Sequence, residues 1–304
     1  MSFDAVQDQI VELLSDNEEQ QFIFLTGAAG TGKTTLLERV KNQLSSKKIV
    51  VAPTGIAALN IGGTTINSAF RIGFETVPVI TKSKDPRFAK LLKNLELLII
   101  DEVSMVRAPM LDAISQSLQI YKKSTEPFGG IHVLACGDLF QLPPVVKQHE
   151  EREIYDRYDS IYFFDALSFK EIKNVKYFQL DKSFRQEEDE GFYELLNNIR
   201  IGNDLEKTIN KINSQCFDPT LESDAYMTLT SRKNRAEELN NHKLTYLDSP
   251  EEIIKSKEFG ELNENDLPAP RELKIKQGAS VMFIKNDSEG RWVNGTLGTV
   301  AECL

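Results

Sequence analysis

Gly27-Ala28-Ala29-Gly30-Thr31-Gly32-Lys33-Thr34-Thr35 fits the pattern G-x-x-x-x-G-K-[ST] at every constrained position and follows directly on the apolar run Phe22-Ile23-Phe24-Leu25. A buried strand that ends in a glycine-rich turn and opens a helix at Lys33 aims several backbone N–H groups, and the positive end of a helix dipole, at one point. A triphosphate fits that point. The glycines let the backbone wrap a phosphate with no Cβ in the way, Lys33 reaches the outer phosphates, and the Thr34 hydroxyl offers a ligand to Mg²⁺.

The flanking sequence repeats the same grammar. Lys48-Ile49-Val50-Val51-Ala52 reads as a strand stopped by Pro53, and Thr54 to Leu59 as a turn entering a helix. Leu97-Leu98-Ile99-Ile100 and Ile131-His132-Val133-Leu134-Ala135-Cys136 are further apolar strands, each running into acidic residues. Strands that are apolar throughout and alternate with helices predict an α/β fold, a parallel sheet covered on both faces that binds its ligand at the strands' carboxyl ends. Upstream, Val6, Ile10, Val11, Leu13 and Leu14 give residues 4–14 a one-sided helical pattern. The mixed stretch 71–90, with Pro78 and Pro86, reads as a small excursion from the sheet. Beyond Phe178 the chain turns helical and charged, then predicts a strand at 226–230, a helix at 231–240, and short strands at 280–284 and 295–300.

A chain of 304 residues exceeds what one hydrophobic core usually holds, and two domains are expected, residues 1–177 and 178–304. Its longest apolar runs are far too short to cross a membrane, and Met1-Ser2-Phe3-Asp4 has no export-signal character, so a cytoplasmic location is expected. Three scattered cysteines, Cys136, Cys216 and Cys303, argue against a disulfide framework and a zinc site. The net charge of −10 does not advertise nucleic-acid binding, yet the acid is concentrated in surface-type runs such as Glu187-Glu188-Asp189-Glu190. A locally basic cleft is compatible with that balance.

Asp101-Glu102 follows its strand 68 residues after Lys33 and is the natural partner of the phosphate loop. One carboxylate holds Mg²⁺, and the second orients or deprotonates the attacking water. Cys136-Gly137-Asp138-Leu139-Phe140-Gln141-Leu142-Pro143-Pro144 repeats the strand-to-acid pattern, and the Gln141 amide, donor and acceptor at once, suits a γ-phosphate or a positioned water.

Taken in order, these blocks resemble superfamily-one helicases of the PIF-one/RecD-like branch. The resemblance is carried by Gly27 to Thr35, Ala52 to Ala58, Gly63 to Ile66, Leu98 to Val106, Gly137 to Val145, Leu180 to Gln186, Leu195 to Gly202 and Val293 to Val300. It implies a RecA-like ATPase domain at 1–177, with 71–90 in the place of a duplex-splitting wedge. It also implies a second, incomplete RecA-like domain at 178–304 that enters a small β-barrel insertion from 245 onward.

The resemblance assigns ATP and Mg²⁺ as cofactors and the loop Gly27 to Thr35 as their seat, with Thr34 and Asp101 on the metal, Glu102 as base and Gln141 on the γ-phosphate. It further assigns Arg185 as a guanidinium on the nucleotide, a glutamine ahead of the loop as adenine reader, and single-stranded DNA and duplex junctions as partners. Gln7 and Gln9 are the candidate adenine readers, Gln7 preferred by spacing. Pro53, Thr54 and Gly55 match a DNA-contacting segment; Thr64, Thr65 and Phe70 are further candidates, Phe70 as a stacking face. The implied activity is ATP-driven 5′-to-3′ translocation and unwinding.

Asn67 and Lys233 depart from the family pattern. The His-Lys-Ser-Gln-Gly block and a final arginine-bearing block do not occur before Leu304. The first two bear on DNA contacts, and the absence of the arginine-bearing block that the resemblance implies is what predicts ATP binding with weak hydrolysis by this chain alone. The departures also frame two alternatives: a fragment that binds ATP and DNA without motor activity, with a separate polypeptide supplying the missing blocks, and a regulatory ATPase acting on protein partners.

Overall fold

The structure, a computed structural model, describes residues 2–16, 19–182, 190–218, 228–257, 269–284, 287, 289, 291–292 and 294–302. The chain divides into two compact units, Met1–Gln215 and Cys216–Leu304.

The first unit is built on a sheet of β1 (Phe22–Gly27), β2 (Lys48–Ala52), β3 (Thr64–Thr65), β4 (Leu97–Ile100), β5 (His132–Gly137) and β6 (Val175–Leu180). Their spatial order is β3-β2-β4-β5-β1-β6, and every pairing is parallel. Period-two alternation sends each strand's side chains to opposite faces, and the unit has a core on each. Phe22, Phe24, Leu98, Ile100, Val133 and Ala135 belong to one core, whereas Ile23, Leu25, Leu97, Ile99, Leu134 and Cys136 belong to the other.

The second of these faces is covered by α1 (Phe3–Ser15) and α2 (Lys33–Gln43). Both are amphipathic and contribute Val6, Ile10 and Leu14, and Leu36, Leu37 and Val40. The sequence predicts α1, and the Ser2 hydroxyl caps it by accepting from Ala5 N–H. After β2 come the short helices α3 (Gly55–Asn60) and α4 (Ile66–Phe70). The first face is packed by α5 (Pro86–Lys93) and α6 (Ala108–Lys122), through Phe88, Leu92, Leu111, Ile114 and Leu118. Each such fully buried side chain is worth about 1.5–3 kcal/mol of transfer free energy, which makes the two cores the main support of the sheet. Further along are α7 (Gln148–Tyr155), α8 (Leu167–Lys170), α9 (Glu190–Ile201) and α10 (Leu205–Cys216).

Two expected boundaries shift. The excursion ends at Asp85, because Asp85 caps α5 by accepting from Arg87 and Phe88 N–H, and Pro86 opens the helix at a position whose N–H needs no partner. A division at 177/178 falls inside β6, which pairs along its whole length with β1.

Within the second unit are α11 (Lys233–Thr245) and two antiparallel pairs, β7 (Glu252–Lys255) with β8 (Glu272–Ile275) and β9 (Ser280–Met282) with β10 (Leu297–Thr299). The strands expected near 280 and 297 are present. Of the strand expected at 226–230, residues 226 and 227 lie outside the described residues and 228–230 form no strand.

Candidate active site

Strand order places β5 between β4 and β1, so three motif-bearing ends meet at one edge of the sheet. The register is level. Leu25 and Thr26 pair with Cys136 and Gly137, and Ile100 pairs with Ala135, which sets Asp101 beside Cys136. The phosphate loop, Asp101-Glu102 and the Gly137-Asp138 turn therefore share one neighbourhood.

In the loop, Gly32 adopts a left-handed conformation, φ 84°, as the residue preceding α2. A side chain would be strained there, and the helix would not start at Lys33. Gly27 is glycine for space: a Cβ would lie 2.5 Å from Thr31 Oγ1 and 2.7 Å from the Leu180 carbonyl oxygen. Thr31 is buried and donates to Ala28 O at 2.9 Å, and Lys33 Nζ donates to Gly27 O at 2.8 Å and Ala28 O at 3.1 Å. Ala29, Gly30, Thr34 and Thr35 complete the loop and the first turn of α2, with Thr34 and Thr35 exposed.

Asp101 is buried, hydrogen-bonds its N–H to Val51 O, and accepts from Glu102 N–H at 3.0 Å. Burial pushes its carboxyl above the usual carboxylate range, against the opposing pull of the Glu102 N–H, the Cys136 thiol and Lys33. Burial likewise raises the Glu102 carboxyl, aided by the negative charges of Asp101 and Asp138 and opposed by Lys33. Glu102 has φ 51° and ψ 42°, a left-handed conformation costing a non-glycine residue about 1–3 kcal/mol. That turn directs the chain into a short 3-10 helix at Val103–Met105.

Asp138, at the end of β5, is fully buried and accepts four hydrogen bonds. Phe140 N–H (3.1 Å) and Arg200 Nη2 (2.8 Å) reach Oδ1; Gln141 Nε2 (3.1 Å) and Arg200 Nε (2.9 Å) reach Oδ2. Burial alone would push this carboxyl up, but the Arg200 guanidinium and the two amides outweigh it and hold Asp138 below the usual range. The guanidinium also lies over the Phe140 ring, 4.5 Å from its centroid. Gln141 is exposed and lines a cavity of about 260 Å³ together with Glu102, Ser104, Met105, Leu142, Thr54, Ile56, Ala57 and Asn60. The candidate base, the candidate γ-phosphate ligand and one candidate DNA contact thus border a single space.

Other expected residues go elsewhere. Gln7 is buried on α1, and its Nε2 donates to Gln43 Oε1 at the far end of α2, about 15 Å along the helix from Lys33. The structure therefore does not bring Gln7 to the phosphate loop; Gln9 is exposed on α1. Phe70 is 3% exposed and packs in the core with Ile66 and Ile72, so its ring is not a stacking face, a correction to the expected role. An open aromatic of the excursion, missed in the sequence, is Phe74, 85% exposed.

Pro53, Thr54 and Gly55 lead into α3, where Thr54 Oγ1 accepts from Ala57 N–H. Thr64 is exposed on the edge strand β3, and Thr65 caps α4. Asn67 braces the start of the excursion by donating to Ile72 O and Gly73 O. Arg185 lies outside the described residues.

The parallel sheet, the glycine loop at the mouth of α2 and the acidic strand ends define a phosphate-loop nucleotide-binding protein. Residues 2–210 match the family model for PIF1-like helicases. The chain is 33% identical to ATP-dependent DNA helicase PIF1 of Saccharomyces cerevisiae over 98% of its own length and 35% of the relative's. It is 32% identical to ATP-dependent DNA helicase Pif1 of Bdellovibrio bacteriovorus over 97% and 66%. The crystal structure of Pif1 helicase from Bacteroides in complex with ADP-AlF3 and single-stranded DNA superposes with a TM-score of 0.84 at 37% identity, covering all of this chain and 71% of that one. The chain belongs to the PIF1-like helicase family. It spans about a third of the yeast relative and two thirds of the bacterial one. The comparisons lend no support to a separate polypeptide completing the site. Among the described residues, no helix is long and apolar enough to cross a membrane.

Proposed function

We propose that this chain is the nucleotide-hydrolysing part of an ATP-dependent DNA helicase, with single-stranded DNA and duplex junctions as its partners. The observation that carries the reading is the convergence of Lys33, Asp101, Glu102 and Gln141 on one sheet edge, bordered by a cavity that Thr54 also lines. In this reading the loop amides and Lys33 bind the phosphates. Glu102, held by its left-handed backbone and with a raised proton affinity, accepts the proton of the attacking water. Gln141 contacts the γ-phosphate.

The oxygen donors Thr34 and the buried Asp101 carboxylate suit Mg²⁺, which takes few protein ligands beside phosphate and water. When bound, the ion neutralises charge on the transferring phosphoryl group. Pro53, Thr54, Gly55 and Thr64 contact the DNA strand, and Phe74 replaces Phe70 as the stacking aromatic. Residues beyond β6 belong to a second RecA-like domain with a small β-barrel insertion, a reading supported by the two antiparallel pairs β7–β8 and β9–β10. The 5′-to-3′ direction rests on the family resemblance.

The test is ATP hydrolysis with and without single-stranded DNA, together with unwinding of duplexes carrying a 5′ or a 3′ tail. Hydrolysis by this chain should be weak, with any DNA stimulation and unwinding seen from the 5′ tail, and Lys33→Ala should abolish nucleotide binding. Nucleotide affinity that is indifferent to Lys33→Ala would overturn the reading.

A further inference from the structure

We propose that Arg200 is a positioning residue for Gln141, acting through Asp138 on the recognition of the γ-phosphate rather than on nucleotide affinity. The proposal rests on the nucleotide-hydrolysing reading above. Arg200 sits in the last turn of α9, 62 residues from Asp138 in sequence, and grips its carboxylate with Nε on one oxygen and Nη2 on the other. Two-pronged charge-assisted bonds of this kind fix orientation as well as charge. Phe140, whose ring lies under the guanidinium, belongs to the same turn, so Arg200 touches that turn at two points.

The consequence for Gln141 follows from donor and acceptor chemistry. A glutamine amide can present either its oxygen or its nitrogen to a neighbour. An ionised carboxylate only accepts, so it takes one Nε2–H of Gln141 and leaves the second Nε2–H to donate to a phosphate oxygen, an acceptor that the amide carbonyl could not bond. A protonated Asp138 would carry a donor of its own, could not accept all four bonds, and would let the amide turn over. Arg200 is the charged partner that keeps the buried Asp138 ionised. It thereby selects one orientation of the amide that lines the cavity beside Glu102. Without Arg200 the loop, Lys33 and Asp101 are untouched, and diphosphate binding should persist.

The experiment compares the full chain with Arg200→Ala, Arg200→Lys, Gln141→Ala and the Arg200→Ala/Gln141→Ala double variant. Affinity is measured calorimetrically for ADP and for ADP with aluminium fluoride, a γ-phosphate mimic. In Arg200→Ala the ADP affinity should stay within about twofold of wild type. The extra tightening on adding fluoride should fall about tenfold or more, the scale of one charge-assisted hydrogen bond. Gln141→Ala should lose the same increment, and the double variant should lose no more than Gln141→Ala alone. Arg200→Lys, which keeps the charge and loses the fork, should be intermediate.

Full tightening in Arg200→Ala, or losses that multiply in the double variant, would overturn the proposal. Where Arg200→Ala fails to fold because Asp138 is left buried and unpaired, Arg200→Lys decides, and full tightening there overturns it. A wild type that binds ADP through Lys33 yet gains nothing with fluoride also overturns it and leaves nucleotide binding intact. A wild type that binds no ADP overturns the functional reading itself.

Discussion

Glu102→Gln should separate chemistry from stability. The side chain keeps its size and can still line the cavity, but it cannot take a proton, so turnover should fall by about 10²–10⁴, the usual contribution of a positioned base. Stability should move the other way. Burial, then the charge of Asp101, raises the Glu102 carboxyl above its ordinary value, with Lys33 opposing and Asp138 adding to the rise. A carboxyl that holds its proton more tightly in the folded chain contributes stability below its unfolded value and withdraws it as pH rises through the folded value. Near neutral pH the ionised Glu102 is therefore a cost. Removing the charge should therefore stabilise the first unit, by an amount that solvent in the cavity reduces through screening.

The gain appears as a higher Tm for Glu102→Gln at neutral pH. Calorimetric unfolding of both proteins measures it, alongside nucleotide affinity and turnover. The gap in Tm should close as pH falls toward the carboxylate range, because wild-type Glu102 then takes up its proton. The left-handed backbone at Glu102 is common to both proteins and cancels. A variant that melts lower than wild type at neutral pH, or a gap that ignores pH, would refute the reasoning.

Phe70→Ala and Phe74→Ala should give opposite results. The first empties a core site and should cost about 3–5 kcal/mol in denaturant unfolding. The second should leave the unfolding midpoint unchanged and weaken single-stranded DNA binding by about 1–3 kcal/mol in a fluorescence titration; the reverse pattern would restore Phe70 as the stacking residue. Gly27→Ala places a methyl against the Leu180 carbonyl oxygen, which is backbone of a paired strand and has little room to give. A loss of about 1–3 kcal/mol and weaker nucleotide binding are expected, and an unchanged denaturation midpoint would contradict this account.

The sheet was legible because each of its central strands is an uninterrupted apolar run that ends in a residue of distinct chemistry. Gly27, Asp101 and Asp138 each mark the point where a strand leaves the core. The excursion's end was also written in the sequence: Asp85-Pro86 is a helix start, with the cap and the first-turn proline adjacent, although a proline in a mixed stretch reads first as loop. Phe70 was misread because an aromatic beside Arg71 looks open, whereas the one short turn of α4 rotates Ile66 and Phe70 inward together. The partnership of Arg200 with Asp138 left no local signal, since it depends on tertiary packing that brings α9 to the end of β5. The backbone conformation of Glu102 is equally silent, as glutamate has no preference that announces it.

The position of β1 in the sheet has a consequence for how the protein is made. Its two neighbours are β5 and β6, the last strands of that sheet to be synthesised, while β2, β3 and β4 can pair among themselves earlier. The phosphate loop therefore hangs from a strand that lacks one of its two neighbours until Leu180 has emerged from the ribosome, 153 residues after Gly27. At about 5–20 residues per second this is an interval of roughly 10–30 s. During that interval the nascent chain has an apolar strand with at least one edge open, both of them until β5 is made, and the sheet is complete only once the last strand has closed it.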